Sequence, residues 1–167
     1  NLRLCVLGTA EGERQRLALE RIRWRSGEEE PTPVELADAI ANLRDGVAEE
    51  TGFELRGLPI GIGIAAQLSR DGTTVINAPN IGWRDIEIGP IFAERLDASP
   101  GRIRILNDLS AILIGEMEMG AARGRSNVLA CYVGTGVGGS IGIGGNLVVG
   151  TGGNAGSQTT ATIIRAL

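Results

Sequence analysis

Ile103-Arg104-Ile105-Leu106-Asn107-Asp108-Leu109-Ser110-Ala111 is the stretch on which the fold turns. Ile103 to Leu106 reads as an apolar strand, Asn107 and Asp108 fall just past its C-terminal end, and Ala111 to Gly120 continues as a helix. In open α/β sheets, ligands bind beyond the C-terminal ends of strands, so two polar residues at that point are candidate site residues. Taken alone, Asp108 also reads as a helix N-cap. The glycine-laden segment Val133-Gly134-Thr135-Gly136-Val137-Gly138-Gly139 favours a chemical role. Phosphoryl transfer to an alcohol needs a group to orient and deprotonate the hydroxyl and donors to hold the nucleotide's charge. Asp108 supplies the carboxylate base and Asn107 a hydrogen-bonding partner for the substrate.

Gly134 to Gly139 formally matches GxGxxG, a weak signal by itself. A dinucleotide fold requires a helix after these glycines and an acidic residue about 20 positions further on, and neither is visible. Ser140 to Val149 reads instead as two short strands joined by Gly144-Gly145-Asn146, a hairpin signal. The expectation is therefore a strand-turn-strand whose amides and Thr135 hydroxyl receive phosphate oxygens. The alternative is that the glycines serve only tight turns, but they persist through Gly156.

Working outward, Leu2 to Leu7 and Leu17 to Arg25 alternate as strands, with Gly8 to Glu13 as the turn between them. Arg21, Arg23 and Arg25, with Ile22 and Trp24 between, form one solvated strand face. Thr32, Pro33 and Glu35 announce a helix with a capping box. Its apolar face is Val34, Ala37, Ile40, Ala41, Leu43, Val47 and Ala48, and Gly52 ends it. Leu58 to Ile64 reads as a strand covered on both faces, with glycines that permit close backbone approach. An Arg70-Asp71-Gly72 turn follows, then an irregular stretch from Asn77 to Trp83 and a helix from Ile88 to Leu96.

With 167 residues, 43% of them hydrophobic, the chain can bury one ordinary core or one lobe and part of a second. Its apolar runs fall short of the roughly 20 residues that cross a bilayer, so no membrane role and a cytoplasmic location are expected. Cys5 and Cys131 lie in predicted strands without metal-ligand spacing and read as buried free thiols. A formal charge of −4 without a long basic cluster argues against nucleic acid as a partner. Histidine and lysine are both absent, which excludes a P-loop lysine, a Ser-His-Asp triad and a histidine-ligated metal within these residues. No metal site is visible.

Several ordered segments together resemble the ROK family of bacterial repressors, open reading frames and sugar kinases, in its glucokinase-like branch. They are Ala78-Pro79-Asn80 with Gly82-Trp83, Asn107-Asp108 followed by Gly115-Glu116, Gly120 to Gly124, and Gly134 to Gly139. The resemblance implies an α/β protein of the actin-like ATPase (ribonuclease H-like) fold. Residues 1–120 would be an N-terminal lobe with a mixed sheet, and 121–167 the beginning of a second lobe. It implies transfer of the ATP γ-phosphoryl group to a hexose hydroxyl with Mg²⁺. Asp108 would be the base, Asn107, Asn80, Ala66 and Gln67 would lie on the sugar side, and Gly134, Thr135, Gly136, Gly138 and Gly139 at the phosphates. A homodimer would be ordinary.

Kinases of the family also carry an acidic glycine-rich loop before the first strand, and a Glu-x-Gly-His segment whose glutamate binds sugar and whose histidine binds a structural zinc. Here Ala155-Gly156 is followed by Ser157-Gln158-Thr159-Thr160, so the structural zinc is not supported. A non-catalytic sugar-sensing or assembly module is the alternative reading, and a dinucleotide oxidoreductase a distant third. The family's repressors place a helix-turn-helix domain ahead of the first strand, which makes a repressor a weaker expectation.

Overall fold

The computed structural model describes residues 2–10, 13–22, 30–133, 137–151 and 161–166. The elements in chain order are β1 (Leu2–Ala10), β2 (Glu13–Ile22), α1 (Pro33–Thr51), β3 (Ile60–Ile64), β4 (Gln67–Leu68), β5 (Thr74–Ala78), β6 (Trp83–Glu87), α2 (Gly89–Arg95), β7 (Ile103–Asn107), α3 (Asp108–Met119), β8 (Val128–Val133), β9 (Val137–Ile143), β10 (Asn146–Thr151) and β11 (Ala161–Ala166). They divide into two compact units: Asn1–Ile60 with Pro90–Ile103, and Gly61–Gly89 with Arg104–Leu167.

In the first unit β1 and β2 form an antiparallel hairpin whose register runs from Leu2↔Ile22 to Ala10↔Glu13. The expected turn at Gly8 to Glu13 is shorter than its composition suggests. Gly8, Thr9 and Ala10 stay in β1 because pairing with Gln15, Arg14 and Glu13 continues the backbone ladder. Arg21 is exposed as a solvated strand face requires, while Arg23 and Arg25 lie outside the described residues. Val6, Val47 and Leu55 form this unit's core with Leu4, Ala18 and Ala48 against them. Cys5 points the other way along β1 and is exposed, which corrects its expected burial.

Helix α1 starts as predicted. The Thr32 hydroxyl accepts from Glu35 N at 3.2 Å, and Thr32 N donates to the Glu35 carboxylate at 2.7 Å. Gly52 ends the helix in the left-handed region, donating to Ala48 O at 2.9 Å. The buried face is rotated from the expected stripe. Ala37, Ile40 and Val47 are buried, but Leu36 and Arg44 join them while Val34, Ala41 and Leu43 are only half-buried. Arg44 belongs inside because its Nη1 donates to Leu96 O at 2.7 Å, just past α2. Its Nε donates to Asp45 at 3.0 Å, and hydrogen bonds from Arg44 and then Arg56 hold the Asp45 carboxyl below its ordinary range.

The second unit contains three sheets: the pair β3-β7, the antiparallel β4-β5-β6, and the antiparallel β10-β9-β8-β11. Helix α3 packs on β9 and β10. Val128, Ala130 and Tyr132 of β8 bury against Leu109, Leu113 and Ala122, while Leu129, Cys131 and Val133 face outward. Cys131 is therefore exposed by strand parity, the second correction to the expected buried thiols. Strand β3 also departs from expectation: Ile64 is buried, but Gly61 and Gly63 are exposed, so only one face is covered.

The stretch from Asn77 to Trp83, expected to be irregular, is two strand ends joined by a tight turn. β5 continues through Ala78, Pro79–Ile81 is a single 3₁₀ turn, and Trp83 opens β6 opposite Ala78. At the other end, Gly144 and Gly145, with φ of 61° and 80°, form the tight turn between β9 and β10. β9 begins at Val137, directly opposite Val133. The glycine run therefore leads into a strand, which rules out the helix a dinucleotide fold needs and overturns that reading. No helix among the described residues is long and apolar enough to cross a membrane.

Candidate active site

β7 and α3 meet at Asn107 and Asp108, and Asn107 is the residue that caps the helix. Its Oδ1 accepts from Leu109 N at 3.0 Å and Ser110 N at 3.3 Å. Its Nδ2 donates to Ala66 O at 3.0 Å, tying the helix start to the loop after β3. The N-cap reading of Asp108 is thus corrected: Asp108 is the first helical residue, and a neighbour has taken the capping role. The same geometry commits most of the Asn107 amide to structure, leaving one N–H for a substrate.

Asp108 is half-buried, and its Oδ1 accepts from Leu109 N at 2.9 Å. Among the described residues no hydrogen bond reaches its Oδ2. Burial raises its pKa above the ordinary 3.8, with the amides of Leu109 and of Asp108 itself opposing the rise. Gly63 of β3 lies alongside: a Cβ there would stand 3.7 Å from Asp108 Cα and 3.5 Å from Ala111 Cβ. Both are ordinary van der Waals distances, so the packing at this point does not itself require a glycine.

Ala66 is buried, with its N–H donating to Ile64 O at 2.8 Å, so the structure brings Ala66, Asn107 and Asp108 together. Gln67 follows on β4, exposed and opposite Asn77. Asn80 sits exposed in the Pro79–Ile81 turn, and its side chain makes none of the hydrogen bonds found among the described residues. Gly138 and Gly139 lie within β9, opposite Tyr132 and Cys131. Gly134, Thr135 and Gly136, and the segment Ala155 to Thr160, fall outside the described residues.

Sequence reasoning passed over a buried polar cluster beneath Asp108. The Tyr132 hydroxyl donates to Leu109 O at 3.0 Å and lies 3.0 Å from Ser140 Oγ, which itself reaches Leu109 O at 3.3 Å. The signal was available. Tyr132 is the chain's single tyrosine and shares strand parity with Val128 and Ala130, and a buried tyrosine hydroxyl requires a partner.

No group of three or more acidic, cysteine or histidine side chains that could hold a metal ion occurs among the described residues.

A half-buried carboxylate at a helix start, beyond a strand end, is a ligand-site arrangement of α/β proteins, and this one has the actin-like ATPase fold. A solved glucokinase of Streptomyces griseus, in complex with glucose and AMPPNP, superposes with a TM-score of 0.65 at 30% identity, covering 80% of this chain and 39% of that one. The family model of the ROK family matches residues 4–158, and the chain belongs to that family. A glucokinase of Streptomyces coelicolor is 37% identical over 117 residues, 70% of this chain and 34% of the relative. A xylose repressor of Bacillus spizizenii is 30% identical over 105 residues, 62% of this chain and 27% of the relative. The chain spans about a third of the length of the curated relatives it matches.

Proposed function

We propose that the protein is an ATP-dependent hexose kinase of glucokinase type. The observation that carries this is Asp108: a half-buried carboxylate at the start of α3, just past the end of β7, with raised proton affinity and one oxygen that no hydrogen bond reaches among the described residues. The similarity to glucokinases supports it. The sugar hydroxyl oxygen attacks the γ-phosphorus, an O–P bond forms as the bond to the bridging oxygen breaks, ADP leaves, and the hydroxyl proton passes to Asp108. A carboxylate with raised pKa accepts that proton more readily than an ordinary one.

In this reading Asn107 offers its remaining N–H to the sugar, and Asn80, Ala66 and Gln67 line the same side. Gly134, Thr135, Gly136, Gly138 and Gly139 belong to the phosphate side, where Mg²⁺ would supply charge neutralisation. The Asp108→Asn variant of the intact natural polypeptide is expected to lose phosphoryl transfer by roughly 10²- to 10⁴-fold while still binding sugar. Turnover within a few-fold of the parent rejects Asp108 as base.

The second reading, a non-catalytic sugar-sensing module, is favoured by the similarity to xylose repressors. ATP-dependent formation of a sugar phosphate by the purified parent protein would rule it out.

A further inference from the structure

Leu109 O lies one residue past Asp108, inside the first turn of α3. As part of that helix it needs no further partner, yet two buried hydroxyls converge on it. Phenylalanine and alanine would fill the same space without the desolvation cost of polar groups. Replacing a hydrogen-bonded buried set by apolar groups of like shape is close to neutral for stability. What such a network adds is a unique position for the groups it joins. Tyr132 comes from β8 and Ser140 from β9, and the two strands pair as Tyr132↔Gly138 and Ala130↔Ser140. One helix carbonyl therefore references both strands at once. Tyr132 is 3% exposed and Ser140 1%, so solvent does not compete for these contacts. Burial also keeps the phenol above its ordinary pKa of 10.0, so it remains a donor.

We propose that Tyr132 and Ser140 are positioning residues that hold the first turn of α3, and with it Asp108, in a set register against strands β8 and β9. This rests on the reading of Asp108 as the base. Neither hydroxyl touches substrate; both act through the Leu109 carbonyl. Since about 1 Å of misplacement can cost a reaction roughly 100-fold, loosening this register acts on the chemical step rather than on binding.

The test is steady-state kinetics of Tyr132→Phe/Ser140→Ala in the intact natural polypeptide, with Asp108→Asn run in parallel. The double variant is expected to fold, to keep its KM for sugar and for ATP within about twofold, and to lose roughly tenfold in kcat. If the pair together does not fold, Tyr132→Phe alone is expected to show the same split with a smaller loss in kcat. A folded variant with kcat within twofold of the parent overturns the proposal, as does a rise in KM that accounts for the whole effect. If Asp108→Asn has lost transfer in the same assay, the base reading survives that failure. If Asp108→Asn retains full turnover, both fall together.

Discussion

Asn107 joins three segments through one amide, and removing it in steps separates its jobs. Asn107→Ala deletes the acceptor for Leu109 N and Ser110 N and the donor to Ala66 O. Loss of an N-cap costs about 1 kcal/mol, and leaving the buried Ala66 carbonyl without its partner costs about 1 kcal/mol more. The sum, about 2 kcal/mol, corresponds to roughly 4–8 °C in Tm for a chain of this size. Asn107→Ser restores a capping oxygen but cannot reach Ala66, so about half the loss is expected to return. Guanidinium unfolding of the two variants and the parent, compared at equal m-values, gives the difference directly. A loss below about 0.5 kcal/mol in the alanine variant refutes the description of Asn107 as cap and tether. Equal losses for alanine and serine refute the capping half alone.

Because burial raises the Asp108 pKa, the folded protein binds that proton more tightly than the unfolded chain. The group's favourable contribution is full below the unfolded carboxylate pKa and is lost as pH rises through the folded value. Asp108→Asn is therefore expected to be more stable than the parent at pH 7, with the advantage shrinking towards pH 4, as pH-resolved denaturation measures; a constant offset across that range contradicts the burial account. Gly72 turns the chain between β4 and β5 at φ 77°, and a Cβ there would collide with the Ile105 carbonyl. Gly72→Ala is expected to cost about 2 kcal/mol or more through strain and displacement of β7, and a Tm unchanged within 1–2 °C, the scale of a mutation that costs nothing, disproves it.

Much of the fold was legible because the relevant forces are local. The capping box at Thr32–Glu35, the stop at Gly52 and the Gly144-Gly145 hairpin each follow from neighbouring backbone groups seeking partners and from residues that tolerate particular dihedrals. Asp108 was also legible as a candidate, since its place after an apolar strand is a property of the chain itself. The readings that failed concern which side of an element finds company. Cys5 and Cys131 are exposed because strand parity assigns them to the outward faces of their strands. Arg44 is buried because a carbonyl 52 residues away, at Leu96, accepts its proton.

The sequence by itself determined where helix α1 starts and stops, where the β9–β10 hairpin turns, and that a carboxylate stands at a strand end. Only the tertiary structure decided that carboxylate's surroundings. Asn107, tied to Ala66, took the capping role, and among the described residues no hydrogen bond reaches the second oxygen of Asp108. Folding β8 and β9 against α3 brought the Tyr132 and Ser140 hydroxyls onto the Leu109 carbonyl in its first turn. Capping, strand parity and turns are settled within a few residues of chain, whereas burial and proton affinity depend on groups that only folding brings together.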